Sequence, residues 1–189
     1  MTPNQLYQQC IDKQRVVITG NGSRAISSLI AQVLKHHNRK FDYVLENQEP
    51  VIYRDSPTVI IQASSQLLDY KHHIGLLSES TLNAEGKLFE QFADATPKGG
   101  TLIYSEDDPK VKAIGVKERA DIQAIPYKAY KHEVKNGKTF LISSSNEKIP
   151  ILLSGELQLH YVSAAKEVLK KLGITSDQFY RFISNFSLT

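Results

Sequence analysis

With 189 residues the chain is long enough for one domain with a buried core, and an apolar share of 41% beside 23% charged residues excludes a disordered or fibrous chain. The 23 basic and 20 acidic residues leave a net charge of +3 that is dispersed along the sequence, which argues against a nucleic-acid-binding tail or stripe. One cysteine excludes an internal disulfide, and with no apolar run of membrane-spanning length and no charged-then-apolar leader the expectation is a cytoplasmic protein, a single domain over residues 1–189, with neither membrane nor nucleic acid among its partners.

From the N-terminus, Leu6 and Cys10 with Tyr7 and Ile11 alongside repeat at helical spacing after Thr2-Pro3, which predicts a short helix over residues 3–13 with Cys10 packed on its apolar face. The β-branched run Arg15 to Thr19 ends in Gly20-Asn21-Gly22-Ser23, after which Ile26, Leu29, Ile30, Val33 and Leu34 return at helical spacing. Strand, glycine turn and helix therefore follow in order. Phe41 to Leu45, Thr58 to Gln62 and Ile74 to Leu77 read as further strands, and their largely apolar character suits a parallel sheet covered on both faces. Residues 84–95 carry Leu88, Phe89 and Phe92 on one helical face, Pro97-Lys98-Gly99-Gly100 ends that helix, and Thr101 to Tyr104 begins another strand.

Past Ile122 the pattern changes. Tyr127 to Val134, the hairpin pair Asn136-Gly137, Lys138 to Ser143 and Ile149 to Leu153 predict an antiparallel meander. A long amphipathic helix from about 156 to 172 follows through Leu159, Val162, Ala165, Val168, Leu169 and Leu172, stopped by Gly173, and Ser176 is expected to cap a last helix carrying Phe179, Phe182 and Ile183. The fold class these elements predict is α/β, a P-loop-like and mostly parallel sheet flanked by helices, with an antiparallel β-meander near residues 122–153.

The turn Thr19-Gly20-Asn21-Gly22-Ser23-Arg24 stands where helix N-terminal amides and the helix dipole favour an anion, although any doubly wound domain can recruit glycine there for purely structural reasons. Four other groups compete for attention. The adjacent pairs His36-His37 and His72-His73 cannot share one helical face, and each lies beside a lysine, so both are read as solvated surface. Tyr127 to His132 interleaves aromatic and basic residues as single-strand-binding surfaces do, but equally makes one amphipathic strand of the meander. Asp107-Asp108, followed by Pro109, suits a turn and helix cap better than a catalytic pair.

Several segments taken in order resemble the central ATPase domain of the Mur ligase family, the ATP-dependent amino-acid ligases of peptidoglycan synthesis, and in particular the muramate-alanine and murein-tripeptide branch. Val17 to Ser28 is similar to that family's V-T-G-T-x-G-K-T-T-T, and Gly99 to Val111 looks like its G-x-L-V-x-N-x-D-D-P-x-V, with Asp107-Asp108-Pro109 retained. Ala164-Ala165 and Lys170 to Ile174 look like the closing helices of that domain. The resemblance implies a nucleotide or phosphate ligand, ATP among them, at Gly20, Asn21, Gly22, Ser23 and Arg24.

The same resemblance marks departures. Arg24 stands where the phosphate lysine belongs, Ala25 where a magnesium-binding threonine belongs, and Gln62 near the place of an acidic residue that supports magnesium. Of the family's N-x-E-x-D-H-x-D stretch, which falls on Leu77 to Asn83, only Glu79 keeps an acidic group. The H-N pair and following asparagine at the nucleotide map onto Leu157, Gln158 and Tyr161. No segment corresponds to the family's domains for the UDP-sugar and the amino acid. Because phosphoryl transfer depends on cations that neutralise developing charge, these changes predict a chain that binds a phosphate-bearing ligand or a protein partner without magnesium and without catalysis. Two alternatives stay open: a ligase subunit completed by domains on another chain, and a ligand-free interaction scaffold.

Overall fold

The computed structural model describes residues 2–80 and 85–186. The described residues form two sheets. The larger has six strands, all parallel: β1 (Gln14–Thr19), β2 (Asp42–Leu45), β3 (Thr58–Gln62), β4 (Ile74–Leu77), β5 (Thr101–Ser105) and β6 (Gln123–Tyr127), in the order β2-β3-β1-β4-β5-β6. The smaller is antiparallel, β7 (His132–Lys135), β8 (Lys138–Ile142) and β9 (Lys148–Ile151), with Asn136-Gly137 at the first hairpin. This is the α/β class expected from the sequence.

Among the described residues six α-helices cover the parallel sheet: α1 (Pro3–Gln9), α2 (Ser23–His36), α3 (Glu85–Asp94), α4 (Pro109–Gly115), α5 (Glu156–Lys171) and α6 (Ser176–Ile183). Successive strand side chains point to opposite faces, so Val16 and Ile18 pack with α2, α5 and α6 while Val17 packs with α1, α3 and α4. Both faces being buried explains why these strands are continuously apolar instead of alternating. The meander joins the first of the two cores through Leu141, Ile151 and Leu153.

The N-terminal edge of the sheet is closed by charge. The Lys13 ammonium lies 2.6 Å from Asp42 and also donates to the Tyr53 carbonyl at 2.5 Å, with both charged side chains buried. Arg15 spends its guanidinium on the carbonyls of Cys10, Ile11, Lys13 and Lys71. Cys10 is fully buried, as expected, one residue beyond the end of α1.

Several expectations are corrected. The meander starts at His132, not near 122, because Gln123–Tyr127 pairs with β5 as the parallel edge strand, a position that tolerates Pro126. Tyr127 to His132 is therefore not one strand. Ala129 N–H donates to Asp107 and Tyr130 N–H to the Leu159 carbonyl, which diverts the backbone from strand pairing between the two sheets. Thr175, not Ser176, caps α6, in a reciprocal box with Gln178. The reading of both histidine pairs as solvated fails: His72 is 1% exposed, stacked on Phe92 and hydrogen-bonded to Thr96, while His73 and His37 are half-buried against Arg15 and the Gln178 carbonyl, leaving only His36 exposed. Residues 81–84, with the expected helix start at 84 and Thr81, Leu82 and Asn83 of the acidic stretch, lie outside the described residues.

Candidate functional site

In the order β2-β3-β1-β4-β5-β6 the chain leaves β1 toward one edge and returns to β4 on the other side, so the crevice at the C-terminal ends of β1 and β4 is the switch point where open α/β sheets place ligands. The glycine turn fills this position. All five residues singled out in the sequence, Gly20, Asn21, Gly22, Ser23 and Arg24, lie between the end of β1 and the first turn of α2.

Each loop residue is held by a definite contact. Gly20 has φ +93°, and a Cβ there would fall 2.9 Å from the Glu79 carbonyl oxygen, so the backbone passes directly against the chain leaving β4. Asn21 N–H donates to that carbonyl at 2.8 Å, and its side-chain amide reaches the Glu79 carboxylate at 3.4 Å. Gly22, left-handed at φ +73°, is the N-cap of α2 and offers no side-chain acceptor, so that the Ser23 N–H turns to the Gly20 carbonyl at 3.2 Å and the Arg24 and Ala25 amides have no side-chain cap. A Cβ on Gly22 would lie 2.1 Å from Cε1 and 2.6 Å from the hydroxyl oxygen of Tyr161, so the Tyr161 ring of α5 rests on this glycine.

Near the place where the resemblance puts a magnesium-supporting acid, the chain has the neutral Gln62, bonded to the loop residue Ser23. Ser23 is buried, its hydroxyl accepts from the Gln62 amide at 3.3 Å, and Gln62 accepts in turn from the Glu46 N–H. Ala25, two residues on, contributes no oxygen ligand. Among the described residues no group of three or more His, Cys, Asp or Glu side chains is arranged to hold a metal ion. Arg24 is exposed, and its charge bears on Tyr43, whose buried hydroxyl has no hydrogen-bond partner among the described residues and whose pKa is pushed up to about 12 by burial against the opposing pull of Arg24.

Beside the loop lies a polar wall built from the ends of β4 and β5. Asp108 caps α4 through the N–H groups of Lys110 and Val111 and also accepts from the Ser80 N–H at 2.7 Å and hydroxyl at 3.1 Å. Burial by itself would raise this carboxyl, but the backbone donors of Ser80, Val111 and Lys110 hold it below the usual range. The expected cap at Asp108 is thus present. A groove of about 390 Å³ runs over Glu79, Ser80, Asp107, Asp108, Pro109 and Lys110.

His160 of α5 was not singled out by sequence. It is 3% exposed, Nε2 shares a 3.1 Å hydrogen bond with the Ser105 hydroxyl, and the ring stacks 4.8 Å from Tyr127, whose own hydroxyl reaches Ser78. Among the described residues its Nδ1 has no hydrogen-bond partner, and it lies 3.7 Å from the Glu79 carboxylate, while Nε2 is 3.7 Å from Asp107. Burial lowers the pKa of this imidazole, against the raising influence of Glu79, Asp107 and Glu156. The available signal was a histidine among Leu159, Val162 and Ala164 on a helix that buries half of its residues. Of the three α5 positions mapped to the nucleotide, Leu157 is exposed, Gln158 accepts from Ser154 N–H, and only Tyr161 reaches the loop.

No protein-family model and no curated protein sequence matches the chain. Solved structures do. The chain is similar to the UDP-N-acetylmuramate:L-alanyl-gamma-D-glutamyl-meso-diaminopimelate ligase from Neisseria meningitides, with TM-score 0.74 and 14% identity over 99% of this chain and 70% of that one. It is similar also to the UDP-N-acetylmuramoylalanyl-D-glutamyl-2,6-diaminopimelate-D-alanyl-D-alanyl ligase from Acinetobacter baumannii, with TM-score 0.77 and 9% identity over 99% and 49% of the two chains. The folylpolyglutamate synthetase from Lactobacillus casei gives TM-score 0.72 and 12% identity over 97% and 66%. The chain therefore spans about half to seven-tenths of the length of these ligases. A Mur-ligase-like central-domain fold is what the likeness supports, and at such identities it speaks for fold alone.

Proposed function

We propose that this chain is a non-catalytic, Mur-ligase-like domain that binds a phosphate-bearing anion at Arg24 and the first turn of α2 without magnesium. The observation that carries the reading is the Gln62–Ser23 hydrogen bond: near the place where the resemblance puts an acidic residue that supports magnesium, the chain has a neutral amide already engaged with the loop hydroxyl of Ser23. A carboxylamide is a poor magnesium ligand, and Ala25 supplies no hydroxyl to replace what is lost. Arg24 has what the remaining task needs, because a guanidinium is always charged and offers a planar fork of donors that matches a phosphate or carboxylate without a cation between them. The uncapped amides of α2 and the positive end of its dipole add to the same spot.

On this reading residues 1–189 act as one domain in the cytoplasm, related most nearly to the muramate-alanine and murein-tripeptide branch. The test is calorimetric titration with inorganic phosphate, ADP and ATP, with and without magnesium, on the native chain and on Arg24→Ala. Anion binding that is indifferent to magnesium and is lost in Arg24→Ala is expected. Magnesium-dependent ATP binding with release of phosphate would overturn the proposal in favour of a ligase subunit completed by another chain. Absence of binding to any of the three would overturn it in favour of a protein-interaction scaffold.

A further inference from the structure

We propose that the groove over Glu79 and Asp107 binds the primary ammonium group of a small amine. This site is separate from the anion site and draws neither on Arg24 nor on the N-terminus of α2. His160 stands behind it. The ring is 3% exposed, and each of its nitrogens faces a carboxylate that lines the groove, Nδ1 at 3.7 Å from Glu79 and Nε2 at 3.7 Å from Asp107. Those two carboxylates are open to solvent, their side chains 32% and 46% exposed. Glu79 accepts from the Asn21 side-chain amide through Oε2 while Oε1 is the oxygen turned to His160, and Asp107 accepts from the Ala129 N–H through Oδ2. The other charged lining residues, Asp108 and Lys110, are of opposite sign, so Glu79 and Asp107 leave the groove with a negative surplus.

The direction of the buried hydrogen bonds identifies what the groove lacks. Tyr127 donates its hydroxyl to Ser78 and accepts from Ser105, so the single Ser105 proton is spent on Tyr127 and Ser105 accepts from His160 Nε2–H. Burial favours the neutral ring, which then carries that one proton and presents Nδ1 as a bare lone pair. Among the described residues Nδ1 has no hydrogen-bond partner, and the group it faces, the Glu79 carboxylate, is also an acceptor. Deeply buried nitrogen is normally satisfied, so two acceptors turned toward each other behind an acidic groove call for a donor with positive charge. The carboxylates that bear on the ring, those of Glu79, Asp107 and Glu156, reinforce the demand. A primary ammonium meets it with three N–H groups on one positive centre: it can donate to Glu79 and Asp107 together, and by drawing the Glu79 charge toward itself it relieves the opposition to Nδ1. A metal ion fits less well, since among the described residues no three His, Cys, Asp or Glu side chains are arranged to hold one.

The experiment is a titration of isotopically labelled full chain at neutral pH and constant ionic strength, followed by the ring nitrogen resonances of His160. The probes are methylammonium, tetramethylammonium, which carries the same charge without N–H donors, and magnesium. The proteins are native, Glu79→Gln and Asp107→Asn, substitutions that keep size and an acceptor oxygen for Asn21 and Ala129. A saturable shift of His160 with methylammonium and none with tetramethylammonium is expected in the native chain. Each substitution is expected to weaken methylammonium by about tenfold or more, the loss of one charge-assisted bond. Should a variant fold poorly, the contrast between the two ammonium ions on the native chain decides alone. An equal response to both ions would overturn the proposal, because charge without hydrogen bonding would suffice. Absence of a saturable response would overturn it, and magnesium that displaces methylammonium would overturn it in favour of a metal site. An imidazole already protonated at neutral pH in the ligand-free chain would overturn it too, since the ring would then supply its own cation. None of these results depends on whether phosphate binds at Arg24, so the two proposals fail separately.

Discussion

Two residues show how single side chains set the properties of this molecule. Gly22 combines a left-handed backbone with an aromatic ring on its Cα, so Gly22→Ala meets both a conformational penalty and a clash. It should destabilise the fold by roughly 1–3 kcal/mol in chemical denaturation, and the loss should shrink when Tyr161→Ala is present, since the two changes share one contact. His72 is a case of titration linked to folding. Burial, with smaller contributions from His73 and Arg15, lowers its pKa from the ordinary 6.5 to about 3. The folded chain therefore keeps this ring neutral where the unfolded chain protonates it, so its contribution to stability is complete above 6.5 and is lost as pH falls toward 3. His72→Gln, which can keep the bond to Thr96 and cannot titrate, should give a shallower decline of melting temperature between those pH values. A decline as steep as in the native chain would show that His72 is not the group responsible.

At the scale of elements, helix ends organise the site. The α4 helix begins where Asp108 satisfies two of its amides and simultaneously ties down Ser80 beyond β4, so one carboxylate joins two strand ends. Asp108→Ala should cost about 1–2 kcal/mol, near the upper part of the usual range for an N-cap because the Ser80 bonds are lost with it. Asp108→Asn keeps one acceptor oxygen and should recover the capping part of that loss but not the bond from the Ser80 N–H, and unfolding curves of the two variants decide the point. The α2 helix is the opposite case: its N-cap is a glycine with no side-chain acceptor. The α5 helix supplies both Tyr161 and His160 from consecutive positions, yet they face different partners, the loop glycine and the carboxylates of Glu79 and Asp107. Its Lys166 is buried, donating at 2.5 and 2.6 Å to the hydroxyls of Tyr130 and Tyr180, and so pins α6 and the connection between the sheets to the same helix.

Across the whole molecule the parallel sheet keeps its buried ion pair and its glycine loop at opposite ends. Its N-terminal edge holds the buried Lys13–Asp42 pair and its C-terminal edge the glycine loop. Asp42→Ala leaves the Lys13 ammonium buried without its counter-charge and should cost about 3–5 kcal/mol in urea unfolding, with the phosphate response at the loop unchanged in protein that remains folded. A shift in that response would show the two edges to be coupled. The division also explains what was legible beforehand. Apolar periodicity, β-branched runs and turn chemistry are local, so the parallel strands, the glycine loop, the Asn136-Gly137 hairpin and the Asp108 cap could be read from residues adjacent in the chain. Ser176 was mistaken for the α6 cap although the Thr175 and Gln178 box was equally local, because both residues can cap and only the observed dihedral angles choose. What the tertiary structure alone decided depends on residues distant in sequence: the parallel pairing of β6 on β5, the burial of His72 against Phe92, the meeting of His160 with Glu79 and Asp107, and the Tyr161 ring on Gly22. Short-range pattern reports which way a side chain faces within its own element, whereas the partner it meets is set by how elements pack.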